Sequence, residues 1–111
     1  MKYAAKFFKD GEYIGVEFPD LVGCYSQGKN LEEAEKNAAK ALGRFLGEIN
    51  FYPASKEYQG EGIKMIEPVE DVDDTHSLMI NPAVRRRIVF PKNQETLGEK
   101  LAEKIRKAAG V

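Results

Sequence analysis

The spacing of the apolar residues changes at Asn30, and that change limits what the chain can fold into. Ahead of it, Tyr3–Phe8 and Tyr13–Phe18 are short runs rich in aromatic and β-branched residues, separated by Lys9-Asp10-Gly11-Glu12. Asp-Gly readily supplies the positive φ of a tight turn, so the two runs predict an antiparallel hairpin. Adjacent Phe7 and Phe8 spoil strict alternation in the first strand, and Pro19, which has no amide to donate, stops the second. Phe18–Gly23 reads as a loop and Cys24–Gly28 as a brief third strand. Beyond Asn30, Leu31, Ala34, Ala38, Leu42, Phe45 and Ile49 recur at three- and four-residue steps. That is a helix with one apolar face. Asn30 with Glu33 three residues on predicts its start as a capping box.

Pro53, Gly60 and Gly62 make residues 50–62 a loop, and alternation over Ile63–Val69 predicts a fourth strand. Glu70–Thr75 reads as an acidic linker. Asn81-Pro82 is a turn, Arg85–Phe90 a strand ended by Pro91, and Thr96 with Glu99 a second capping box. Leu97, Leu101, Ile105 and Ala108 then form an apolar stripe, with Gly110 placed as a helix stop. The expected fold is α+β: a β-β-β-α-β domain, its antiparallel-rich sheet covered by one helix, with a C-terminal strand-helix extension. The expected divisions are 1–70 for the domain, 71–82 for the linker and 83–111 for the tail. A strand and helix cannot bury the tail's stripe alone, so it must pack on the domain or on a second chain. A homodimer or higher oligomer follows as an expectation.

With 111 residues and 42% of them hydrophobic, the chain has material for one core without disulfides or metals. Cys24 is the only cysteine. No leader opens the sequence, and no apolar run approaches the ~18 residues of a membrane span. A cytoplasmic protein in a reducing compartment, with no membrane partner, is expected. The net charge of −1 conceals a polarity: residues 53–80 carry 2 Lys+Arg against 7 Asp+Glu, and residues 81–111 carry 8 against 3. An acidic middle and a basic tail either fold together or face partners of opposite sign.

Nucleophilic catalysis finds little support. His76 is the only histidine and sits beside the acidic linker, where it is expected to be solvated. Nothing brings it to Cys24 or supplies an orienting third group. Glu70, Asp71, Asp73, Asp74 and His76 are hard ligands within seven positions, yet their spacing fails the calcium-loop pattern and lacks its glycine. No catalytic residue, metal or cofactor is expected. The basic strand is the strongest feature of the tail. Arg85, Arg87 and Val89 are expected on one face, and paired across a dimer such strands form a ribbon that fits the major groove of DNA. The alternative is an edge strand guarded by charge.

Residues Phe18-Pro19-Asp20-Leu21-Val22-Gly23-Cys24, then Gly28, then Leu31-Glu32-Glu33-Ala34 resemble the HicB family of antitoxins in content and order. The resemblance implies a partial RNase H-like fold. It also implies an antitoxin, or a stand-alone relative of one, that binds and occludes a small, basic HicA-like mRNA-cleaving ribonuclease toxin. The acidic residues Glu67, Glu70, Asp71, Asp73 and Asp74 are the candidate toxin-binding set, because a toxin that grips RNA is basic. Many family members add a DNA-binding module that represses their operon. The tail resembles the first strand and helix of a ribbon-helix-helix unit, and the chain stops where the second helix would begin. Operator DNA is therefore the alternative partner, with Arg85, Arg87 and Val89 as its contacts. A metal-dependent nuclease of the RNase H kind is a third reading, weakened because the first strand has no carboxylate over Tyr3–Phe8.

Overall fold

The computed structural model describes residues 1–83, 85–92 and 96–110. The elements are β1 (Tyr3–Asp10), β2 (Tyr13–Glu17), β3 (Tyr25–Gly28), α1 (Leu31–Leu46), β4 (Ile63–Ile66), β5 (His76–Asn81), β6 (Arg86–Pro91) and α2 (Glu99–Ala109). One antiparallel sheet has the order β3-β2-β1-β4, and β5 with β6 forms a second, two-stranded one. The fold is α+β. β5 lies inside residues 71–82, which were expected to be a linker: the segment is a strand because it pairs along its whole length with β6.

The hairpin closes where Asp-Gly placed it. Asp10 pairs with Tyr13, leaving Gly11 and Glu12 as a two-residue loop with Gly11 at φ 64°. Asn30 Oδ1 accepts from the Glu33 amide at 2.8 Å to start α1, and Glu33 Oε1 reaches back to the Lys29 amide at 3.2 Å. The buried face of α1 is Ala34, Ala38, Ala41, Leu42, Phe45 and Leu46. Leu31 lies exposed at the first turn, and Ile49 lies beyond the helix, half-buried against the core.

The adjacent phenylalanines have a physical reason: the sheet is covered on both faces. Tyr3, Ala5 and Phe7 point toward α1 with Val16 and Leu42. Phe8 packs instead with Tyr25, Ile88, Leu101 and Ile105 in a second cluster under α2. One covering helix was expected; two are found.

Between β4 and β5 the chain crosses α1. The Val69 amide donates to the Ala39 carbonyl at 3.1 Å. A Cβ on Gly43 would stand 1.9 Å from the Val69 carbonyl oxygen, so only glycine lets backbone and helix touch here. β6 then returns beside β3: the Val89 amide donates to the Gly23 carbonyl at 2.7 Å, and Cys24 and Val89 form a parallel bridge. Val89 completes the core under α1, while its neighbour Ile88 enters the core under α2.

The start of α2 differs from the expected Thr96–Glu99 box. Its N-cap is Gly98, which has no side chain to offer, and the carboxylate of Asp10 does the capping from the far end of β1. Asp10 Oδ1 and Oδ2 accept from the amides of Lys100 and Leu101, each at 2.9 Å. Gln27 grips the approach to the helix, accepting from the Gly98 amide at 3.0 Å and donating to the Thr96 carbonyl at 2.8 Å. The helix ends at Gly110, with φ 83°.

Candidate functional surfaces

The loop that carries the Phe-Pro-Asp-Leu motif is a scaffold. Phe18, Leu21 and Cys24 are buried in the core, and the turn is closed by Leu21 donating to Phe18 at 3.0 Å and Cys24 to Leu21 at 3.1 Å. Burial pushes the Cys24 thiol well above its ordinary pKa, so it is a small apolar residue here and not a nucleophile. Pro19 is exposed. Asp20 holds the long 50–62 loop against the sheet by accepting from the Lys56 amide at 2.8 Å and from the Tyr58 hydroxyl. Of the remaining motif residues, Gly23 has φ 109°, Gly28 ends β3, and Leu31, Glu32, Glu33 and Ala34 open α1.

The acidic run divides into three kinds of residue. Glu67 and Glu70 are exposed. Asp73 and Asp74 are exposed but paired, with Lys40 at 3.3 Å and Lys92 at 2.6 Å. Asp71 turns inward, its side chain only 4% exposed. Its oxygens accept from the Thr75 hydroxyl at 2.7 Å and from the amides of Thr75 and His76, each at 3.0 Å. Burial acting alone would raise the Asp71 carboxyl, but these hydrogen bonds and the nearby imidazole hold it below its ordinary value.

His76, expected in solvent, is buried as the first residue of β5. Its Nε2 lies 2.9 Å from Ser26 Oγ and its Nδ1 2.9 Å from Thr75 Oγ1. Because the Thr75 proton goes to Asp71, Thr75 must accept from Nδ1–H. Nε2 is then an acceptor, and the Ser26 hydroxyl donates to it. Burial lowers the imidazole pKa to about 4; Asp71 opposes that shift, while Lys40 and Arg44 add to it. Serine, histidine and aspartate stand in sequence here, but Thr75 intervenes and Ser26 has no exposed surface. The chain of hydrogen bonds fastens β5 to β3. Asp71 four residues before a Thr-His pair was its one signal in the sequence.

The arginines part company. Arg85 sits in the turn before β6 at φ 51° and is exposed. Arg87 is also exposed, whereas Val89 is 0% exposed and presents nothing to a ligand. Half-buried Arg86 donates from Nη1 to the Ala108 carbonyl at 2.9 Å. It lines a shallow depression of about 270 Å3 with Val22, Tyr25, Lys104, Lys107 and Ala108. The strand expected to pair across a dimer pairs with β5 of its own chain, and the apolar stripe of α2 is buried on Tyr25 and Ile88. The stripe therefore gives no reason for a second chain.

A surface that the sequence reading did not single out lies at the C-terminal end of α1. Met1, Gly43, Leu46, Gly47, Tyr52, Pro68, Val69 and Glu70 line an open groove of about 390 Å3. Phe51, 82% exposed, stands next to Tyr52 in the chain. The adjacent aromatics Phe51 and Tyr52 in a largely polar loop were the available signal. Among the described residues, no three His, Cys, Asp or Glu side chains gather as a metal site would require, and no helix is long and apolar enough to cross a membrane.

A family model described as the HicB-like antitoxin of bacterial toxin–antitoxin systems matches residues 5–82. A search of curated proteins finds no match. The matched span runs from β1 through the end of β5, taking in the motif loop, α1 and the crossover at Gly43. It covers more than half of the sequence, and the chain belongs to the HicB-like antitoxin family.

Proposed function

We propose that this chain neutralises a small, basic RNA-cleaving toxin of the HicA kind in the cytoplasm, by covering its RNA-binding face and without chemistry of its own. The observation that carries the reading is the groove at the end of α1. It is apolar enough to seat a partner's side chains, Glu70 lines it, and Glu67 and Glu48 adjoin Pro68 and Gly47 in the chain. An apolar centre with a carboxylate fringe suits a partner that must be cationic to bind phosphate. Asp71 is withdrawn from the candidate set because its work is internal. Glu67 and Glu70 become its leading members, with Asp73 and Asp74 at the margin.

The test is co-expression with a small basic ribonuclease encoded beside the gene, followed by an RNA-cleavage assay. Co-purification and loss of cleavage are expected, and Tyr52→Ala with Glu67→Gln and Glu70→Gln should weaken both. An intact ribonuclease activity in the presence of excess protein would refute the reading. Operator binding is the second reading, favoured by Arg86, Lys104 and Lys107 around one depression with Arg85 and Arg87 exposed nearby. Its mark would be DNA binding that weakens steeply with salt and with Arg87→Ala.

A further inference from the structure

Residues 50–62 are exposed except for half-buried Pro53, so no apolar core of their own fixes their path. Hydrogen bonds to β1 and to the motif loop fix this strap instead. The Tyr3 hydroxyl donates to the Pro53 carbonyl at 2.5 Å, and Ser55 Oγ donates to the Lys2 carbonyl at 2.6 Å. Asp20 takes the middle of the strap with both carboxylate oxygens. Its Oδ2 accepts from the Lys56 amide at 2.8 Å, and its Oδ1 accepts from the Tyr58 hydroxyl. Burial raises the pKa of the Tyr3 hydroxyl, and Asp20 and Tyr52 stand close enough to add to that rise. The motif carboxylate, the buried tyrosine of β1 and the start of the strap therefore form one connected group.

The strap displays aromatic surface that the fold itself does not use. Phe51 is 82% exposed, and its neighbour Tyr52 lines the groove with Met1, Leu46, Pro68 and Val69. A phenylalanine left in water adds little to folding, whereas aromatic residues are enriched where proteins bind one another. The same strap carries exposed Glu57 and Glu61, and Glu70 lines the groove itself. Aromatics set among carboxylates suit a cationic protein and repel a nucleic-acid backbone. On the reading that a basic toxin occupies the groove, we infer that Phe51 anchors that toxin. Asp20 is the positioning residue that keeps Phe51 and Tyr52 beside the groove. Its carboxylate does not touch the partner and acts through the strap. Without it the two aromatics are free to leave the groove, and binding must then order them again.

Titration calorimetry of the full chain with the small basic ribonuclease that co-purifies with it tests the assignment. Phe51→Ala should raise Kd at least about tenfold at an unchanged urea midpoint. Val22→Ala, at an exposed apolar residue on the α2 side, should leave Kd unaltered. Asp20→Ala should raise Kd about threefold or more, and Asp20→Asn, which keeps one acceptor oxygen, by less. Once Phe51 and Tyr52 are both alanine, Asp20→Ala should cost nothing further, because its effect runs through them. In the free protein Asp20→Ala should quicken exchange of the Lys56 amide while the amides of Leu31–Leu46 keep their rates. Wild-type affinity in Phe51→Ala, an undiminished Asp20→Ala effect in the double-alanine background, or unchanged Lys56 exchange would each overturn the inference and leave the toxin reading intact. A wild type that retains no ribonuclease would overturn both. If Asp20→Ala fails to fold, Tyr58→Phe removes one of the two bonds at the surface, and the same outcomes decide in smaller measure.

Discussion

The two faces of the central sheet are held by different means. Under α1 the contact is mostly apolar, with alanines at Ala34, Ala38 and Ala41 bringing the helix close and Leu42 and Phe45 filling the space against Val16 and Phe7. Under α2 the apolar cluster is smaller, and polar clamps from remote parts of the chain surround it. Asp10 caps the helix, Gln27 holds its approach, Tyr13 meets Thr96 at 3.0 Å, and Asn81 and Arg86 reach the last carbonyls of α2. The first face follows from periodicity within sixteen consecutive residues. The second exists only when segments up to 91 positions apart have already met. A helix of weak apolar content is thereby docked by satisfying its orphan amides and carbonyls.

That contrast can be broken from the apolar side first. Leu42→Ala should destabilise the whole domain by about 3 kcal/mol, the cost of a buried cavity, read as a lower urea midpoint at unchanged slope. A loss under about 1 kcal/mol would mean that the α1 face is loosely packed.

The seam between the two sheets responds to acid. The folded state binds the His76 proton only near pH 4, whereas the unfolded chain binds it near 6.5. Stability is therefore complete above pH 6.5 and falls as pH drops toward 4, by about 2 kcal/mol at pH 5. Asp71, lowered from 3.8, extends the decline further into acid. Urea titrations from pH 7 to 5 should show this loss in the wild type and little of it in His76→Gln. A flat wild-type profile would mean that the imidazole is not held neutral.

On the clamped side, Asp10→Ala should cost about 1–2 kcal/mol, the range of a helix cap. Its distinguishing sign is local: amide exchange in Glu99–Ala109 should quicken while that in Leu31–Leu46 is unchanged. Uniform quickening would show that the two faces are one cooperative unit. The smallest effect belongs to the surface. Lys40→Ala, which releases the exposed Asp73, should alter stability by less than about 1 kcal/mol.

Local chemistry alone determined the Asp10-Gly11 hairpin, the Asn30 start of α1, the Gly110 stop and the motif loop from Phe18 to Cys24. Each depends on residues a few positions apart, so short-range geometry suffices. The resemblance carried by the same motif led to the family. Tertiary structure decided the rest. Nothing in the spacing of residues 76–81 marks a strand, because β5 is defined by its partner β6 and by His76 entering a hole beside Ser26. Thr96 and Glu99 satisfy the capping pattern, yet Asp10 performs the capping because β1 ends beside the first turn of α2. The five acids of the candidate set, Glu67, Glu70, Asp71, Asp73 and Asp74, are alike as a string of letters. Burial separates Asp71 from the others, since a carboxylate removed from water must find donors, and the turn before β5 provides them.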